Sequence, residues 1–158
     1  MALGMGDEAP DFSLPKDGSG TLALKDFAGK FVVLYFYPKD DTSGCTIEAK
    51  DFSCLTKEFD DAGAIVIGVS PDSAKSHAKF RAKHDLSVVL ASDETKETLQ
   101  AYDVWVEKSM YGRKYMGVIR TTYLINPEGR IVRVWEKVSV PDHASDVLKA
   151  VHMLATSD

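Results

Sequence analysis

Cys45 is the residue from which the chemistry of this chain has to be argued. It closes the run Pro38-Lys39-Asp40-Asp41-Thr42-Ser43-Gly44-Cys45, which follows the apolar stretch 31–37. An apolar run without alternation predicts a central strand covered on both faces, and Pro38 stops it. In open α/β sheets the functional crevice lies beyond the carboxyl ends of such strands, where the next helix aims its N-terminal amides. A thiol in that first turn meets free backbone amides and the positive end of the helix dipole, both of which favour the nucleophilic thiolate. The dipole contributes only about 0.3–1 kcal/mol, so a cationic side chain must supply the rest.

Arg120 is the best candidate for that cation. It interrupts the apolar run 117–125, and an interior arginine must find an anion. Arg113 competes, and a strand arginine whose head reaches solvent is the plainer reading of Arg120. Thr42 or Ser43 is placed to cap the helix, and the Thr42 hydroxyl is also able to face a bound oxygen substrate. Glu48, three residues past Cys45, either orients an arginine or stays solvated in the first turn. His77 and His84 lie seven apart on an expected helix and read as surface residues, because two histidines without further ligands make a poor metal site. No cofactor or metal site is expected.

The elements that must position these groups follow from pattern. Residues 12–14 and 21–24 bracket a turn over 15–20 and predict an N-terminal hairpin. One amphipathic helix is expected over about 42–61, with Ala49, Phe52, Thr56 and Phe59 on its buried face and Gly63 ending it. A second buried strand at 64–69, a helix over 73–84, a short strand at 87–90 and a short helix through 99–100 complete a β-α-β-α-β order, which implies parallel pairing. Residues 117–125 and 131–135 flank Asn126-Pro127-Glu128-Gly129 and read as an antiparallel hairpin, followed by a last helix from about Asp142. The sum is an α/β, thioredoxin-like fold: a mixed central sheet with helices on both faces, in a single domain spanning 1–158.

Composition narrows the function further. With 158 residues the chain can bury about 70 % of its unfolded surface without staples, and its two cysteines are too few for a disulfide scaffold. A net charge of −5 with dispersed basic residues argues against nucleic acid as a partner. Acidic residues and prolines interrupt any leader in the first twenty residues, and no apolar run approaches the ~20 residues of a membrane span. The expectation is a soluble, cytoplasmic protein acting on a small or neutral substrate.

The text Pro38…Thr42…Cys45 resembles the Pro-x-x-x-Thr-x-x-Cys signature of peroxiredoxins, and residues 35–49 resemble the bacterioferritin-comigratory, or Q-type, subgroup. The likeness extends to Gly6-Asp7-Glu8-Ala9-Pro10-Asp11-Phe12, Gly68-Val69-Ser70, Tyr102-Asp103-Val104-Trp105 and Gly117-Val118-Ile119-Arg120. It implies a thiol peroxidase that reduces hydrogen peroxide and organic hydroperoxides to water and alcohols. Cys45 would be the peroxidatic nucleophile, Arg120 and Thr42 would hold the peroxide oxygens, and Pro38 would shield the thiolate. Thioredoxin is the reductant the family implies, with glutaredoxin or glutathione as other thiols, and many Q-type relatives are monomers.

Two positions depart from the subgroup. Lys50 stands where many members carry a resolving cysteine, and Ser43 stands where a proline often precedes the glycine. The other thiol, Cys54, lies nine residues past Cys45, half a turn out of phase and ~13.5 Å along an intact helix. A disulfide needs Cα atoms about 4.4–6.8 Å apart, so the helix would have to unwind before Cys54 resolved the sulfenic acid. Cys54 is therefore an incidental exposed thiol, a resolving residue or a bridge to a partner, and in the first case a one-cysteine enzyme relies on an external thiol. The rival of a different class is a peroxide-oxidised sensor or holdase-type binding protein, told apart by single oxidation in place of turnover. A Cys-x5-Arg phosphatase is disfavoured because Asp51 stands where the arginine belongs, and a dithiol oxidoreductase because Cys-x-x-Cys is absent.

Overall fold

A computed structural model describes residues 3–17 and 20–155. Its central sheet has the order β5-β4-β3-β8-β9. β3 (Phe31–Phe36) lies in the middle, pairing parallel with β4 (Ala64–Ser70) and antiparallel with β8 (Thr121–Ile125). β5 (Val89–Ser92) runs parallel to β4 on one side, and β9 (Ile131–Trp135) antiparallel to β8 on the other. The parallel β3-β4-β5 unit and the β8-β9 hairpin are those expected from the sequence.

β3 shows why the run 31–37 carries no polar residue. Its side chains alternate between two cores: Val33, Tyr35 and Tyr37 enter one, Val32, Leu34 and Phe36 the other. The first core is closed by α1 (Ser43–Cys54), α2 (Thr56–Asp61), α3 (Ala74–His84) and α5 (His143–Ala155), through residues such as Phe52, Phe59, Phe80 and Val147. The second is closed by Leu99 of α4 (Glu97–Ala101) and by Leu14 and Leu22 of the β1–β2 hairpin, Ser13–Pro15 and Thr21–Ala23. Helices thus cover both faces of a mixed sheet, the thioredoxin-like arrangement expected from the sequence. No helix among the described residues is long and apolar enough to cross a membrane.

Three expectations need correction. The helix expected over 42–61 is two helices, broken at Leu55. There the Leu55 N–H turns to the Phe52 and Ser53 carbonyls, while the Thr56 and Ser87 hydroxyls donate to the same two carbonyls. The break is thus fixed partly by a residue over thirty positions away, which helical periodicity cannot register. The run 117–125 is not one strand either. β7 (Arg113–Val118) pairs with β6 (Trp105–Met110) in a separate two-stranded sheet, and the chain leaves strand geometry at Ile119 and Arg120 before β8 begins. Third, the short strand placed at 87–90 sits two residues later, because only from Val89 does the backbone meet β4. Of the turn over 15–20, Gly18 and Ser19 lie outside the described residues.

Gly68 has a steric task in this frame. It faces Tyr35 across the β3–β4 pair, and a Cβ there would come within 2.6 Å of the Tyr35 ring. The missing side chain lets the phenol lie over β4 and stack on Phe52 of α1, with ring centroids 4.8 Å apart.

Candidate active site

Cys45 is the third residue of α1 and is 1 % exposed. The approach from β3 extends the ladder by one bond, from Tyr37 N–H to the Val69 carbonyl, and Pro38 then sits half-buried at the turn. Asp41 adopts a left-handed φ of 59° before Thr42 opens the helix, whose carbonyl accepts from the Thr46 N–H at 2.8 Å. Thr42 holds the capping position without capping: its hydroxyl donates to the Lys39 carbonyl at 3.0 Å, a correction to the side-chain cap expected from sequence. The loop's own carbonyl outcompetes the helix amides, and lone pairs of the Thr42 oxygen remain available beside the first turn.

Arg120 reaches this turn from the β7–β8 junction. Ile119 N–H donates to the Val104 carbonyl and Val138 N–H to the Arg120 carbonyl, both at 2.9 Å, so the junction is pinned from two sides. Its guanidinium spans two groups of α1: Nη2 donates to Cys45 Sγ at 3.2 Å, and Nη1 to Glu48 Oε1 at 2.5 Å. Gly44 makes room for it, since a Cβ at that position would stand 3.3 Å from Nη2. Burial works against the Arg120 charge, but Glu48 and Cys45 more than offset it and hold its pKa above the ordinary value. A fixed cation therefore lies against a buried sulfur at a helix N-terminus.

Glu48 fills the orienting role that its spacing allowed. It is 1 % exposed, and burial pushes its carboxyl up to about 7 although Arg120 pulls the other way. Its Oε2 has no partner, and neither does the Tyr35 hydroxyl, whose own pKa is driven far upward by burial and by nearby Glu48 and Cys45. Behind them His143, at the start of α5, faces the Thr122 hydroxyl at 2.8 Å and packs edge-on against Phe52 and Trp135. Burial lowers its pKa to about 4, with Arg120 adding to the effect.

Cys45, Arg120 and Glu48 are thus brought into contact, with Thr42 and Pro38 on the approach. Arg113 is exposed on β7, and the cluster is completed without it. Cys54 is the last residue of α1, exposed and unpaired. The surface reading of the two histidines is overturned: His77 is completely buried and bonded to Asp40, and His84 is half-buried against Asp41. Sequence reading also passed over Tyr35 and His143. Tyr35 carried no signal beyond core hydrophobicity, whereas His143, four residues before Val147, shares the buried stripe of its helix.

The AhpC/TSA family profile matches residues 5–134. The chain is 45 % identical over 151 residues to peroxiredoxin Bcp of Bacillus subtilis, covering 96 % of each chain. Among solved structures it resembles the Xanthomonas campestris bacterioferritin comigratory protein, whose trapped intermediate/ligand complexes concern alkyl peroxide reduction. That likeness has a TM-score of 0.90 and 44 % identity, over 98 % of both chains. Xylella fastidiosa PrxQ superposes with a TM-score of 0.93 at 39 % identity, over 98 % of this chain and 99 % of that one.

Proposed function

The chain belongs to the AhpC/TSA family, in its Bcp or Q-type peroxiredoxin branch, and from that membership we propose how its residues divide the work of a thiol peroxidase. Cys45 is the peroxidatic nucleophile, Arg120 its electrostatic partner, Glu48 the group that orients Arg120, and Thr42 and Pro38 form the mouth of the site. The observation that carries this reading is the 3.2 Å approach of Arg120 Nη2 to Cys45 Sγ within the first turn of α1.

The chemistry follows from that geometry. A lone pair of the Cys45 thiolate attacks one oxygen of a hydroperoxide, the O–O bond breaks, and its electron pair leaves on the other oxygen. Sulfur becomes a sulfenic acid, and the departing hydroxide or alkoxide takes a proton to give water or an alcohol. Negative charge moves from sulfur to the leaving oxygen, so a cation and amide donors fixed along that line stabilise the transition state without reorganising. Arg120 and the first-turn amides supply them, and the near-complete burial of Cys45 keeps competing water away. Both hydrogen peroxide and organic hydroperoxides fit this scheme, because only the O–O unit needs recognition.

The cycle closes with an external thiol. Lys50 offers no sulfur, and the unbroken α1 separates buried Cys45 from exposed Cys54 by nine residues, or ~13.5 Å of rise. A thiol reductant of the thioredoxin type attacks the sulfenic sulfur, expels water and forms a mixed disulfide that its second thiol releases. We read the protein as cytoplasmic and monomeric, working as one domain, since β3, β4 and β8 each send side chains into both cores and both cysteines are free.

Intact mass after one equivalent of peroxide tests the assignment. Wild-type protein should gain one oxygen; loss of two hydrogens would instead make Cys54 the resolving residue. Cys45→Ser should show neither change and no turnover, and full activity in that variant would overturn the role of Cys45.

A further inference from the structure

The segment that delivers Cys45 is held by α3, a helix outside the Cys45–Arg120–Glu48 contacts. Asp40 is 7 % exposed, and its carboxylate accepts from the Tyr37 hydroxyl at 2.6 Å and the Ser76 hydroxyl at 2.7 Å. His77 Nδ1 stands 2.7 Å from the same carboxylate, and its Nε2 is 2.9 Å from the Ala91 carbonyl. That carbonyl can only accept, so Nε2 carries a hydrogen. At 2.7 Å a proton must lie between Nδ1 and Oδ2, which ties the two side chains together in a buried pair.

The neighbouring backbone is fixed by the same helix and by β4. Asp40 N–H donates to Asp72 Oδ2 at 2.7 Å, which the Ser70 hydroxyl also meets at 2.7 Å. Asp41, at φ 59°, is gripped by Lys83 Nζ at 2.6 Å and His84 Nε2 at 2.8 Å. Aspartate adopts a left-handed backbone more readily than most residues, and these two contacts hold Asp41 in it. Asp40, Asp72 and His77 bring ligand atoms within 4.8 Å of one another, as a cation site would, but those atoms are already taken up by the bonds just given.

This grip matters because peroxide and reductant place opposite demands on Cys45. A small peroxide needs the docked first turn beside Arg120, whereas a thiol reductant must reach a sulfur that is 1 % exposed. We propose that the buried Asp40–His77 pair is a latch that keeps segment 38–45 docked, and that His77 is a positioning residue setting the balance between peroxide reduction and re-reduction. The proposal rests on Cys45 being the reacting thiol. Releasing the latch removes the buried tie on the segment and leaves only the Asp72, Lys83 and His84 contacts to hold it, so the undocked form gains population.

The test uses the full chain with His77→Gln and, as a milder change in a half-buried side chain, Ser76→Ala. Alkylation of the reduced protein by iodoacetamide is followed by peptide mass spectrometry, with exposed Cys54 as the internal reference. Oxidation by hydrogen peroxide and reduction of the sulfenic acid by dithiothreitol are timed separately. His77→Gln should raise the Cys45-to-Cys54 alkylation ratio roughly tenfold, slow oxidation and speed reduction; Ser76→Ala should shift all three the same way by about two- to threefold. An unchanged ratio, or half-reactions that slow together, overturns the latch, and if His77→Gln does not fold Ser76→Ala decides alone. Absence of peroxide oxidation in the wild type would instead refute the peroxidase assignment, because the alkylation ratio reads the latch without it.

Discussion

The two ends of α1 present the same functional group in opposite surroundings. In the first turn Cys45 is buried, faces the Arg120 guanidinium and shares the dipole's positive end. In the last turn Cys54 is exposed, has no basic residue in its own turn, and lines a cavity with Asp51 and Asp142. Burial and the nearby Asp142 raise the Asp51 pKa. On the assignment proposed above, a sulfhydryl is made reactive by its place in the fold, and one helix supplies both the favourable and the unfavourable place.

Removing the cation should erase most of the difference. Arg120→Ala should lower the second-order rate with peroxide, measured by competition kinetics, by about 10²–10³, the usual loss for one preorganised charge donor. An unchanged rate would move the cationic role elsewhere and leave the two ends chemically closer than drawn.

The groups around Arg120 also give the first turn a hidden pH signature. Glu48 holds its proton in the folded state up to about 7 against an ordinary 4.5, so stability falls as pH rises through that window. His143 is depressed to about 4 from 6.5, so its contribution is lost as pH falls from 6.5 toward 4. Each effect is on the order of 3 kcal/mol, and in the shared range the two oppose each other. Wild-type stability from urea melts should therefore vary little there. Glu48→Gln should become more stable as pH rises to 6.5, and His143→Gln less stable as pH rises to 7. Flat profiles in both variants would refute the pairing.

Smaller effects sharpen the contrast. Gly44→Ala places a methyl 3.3 Å from Nη2, so the guanidinium must retreat, and peroxide reduction should slow roughly tenfold. The same change should stabilise α1 by up to about 1 kcal/mol, because alanine suits a helix better than glycine, so activity and melting temperature should move in opposite directions. Cys54→Ser should leave the oxidation rate unchanged; a drop would show that the far end takes part in the chemistry.

The peroxide-facing half of this site was legible in the sequence because its signals are local. Strand end, proline stop, helix start, Cys45 and Glu48 all fall within one short stretch, and Arg120 stood out as a charge in an apolar run. What escaped depends on distant partners. His77 sits on a helix so rich in lysine and histidine that its buried side is only His77 and Phe80, and its partner Asp40 is 37 positions away. The break at Leu55 likewise involves Ser87, and the β6–β7 sheet takes the first part of a run whose apolar character suggested one strand. Helical periodicity does not encode which carbonyl a remote hydroxyl will claim.

Gly68 carries a consequence that reaches the sulfur from beneath. Tyr35 lies over it, Phe52 rests on Tyr35, and Phe52 belongs to the helix that bears Cys45. Even a methyl at position 68 would act as a wedge under this pile of rings: it would meet Tyr35 at 2.6 Å, so that ring, with Phe52 stacked on it, must shift beneath the helix that bears Cys45. The floor of the sheet, two layers below any peroxide, is thereby a part of the enzyme's aim.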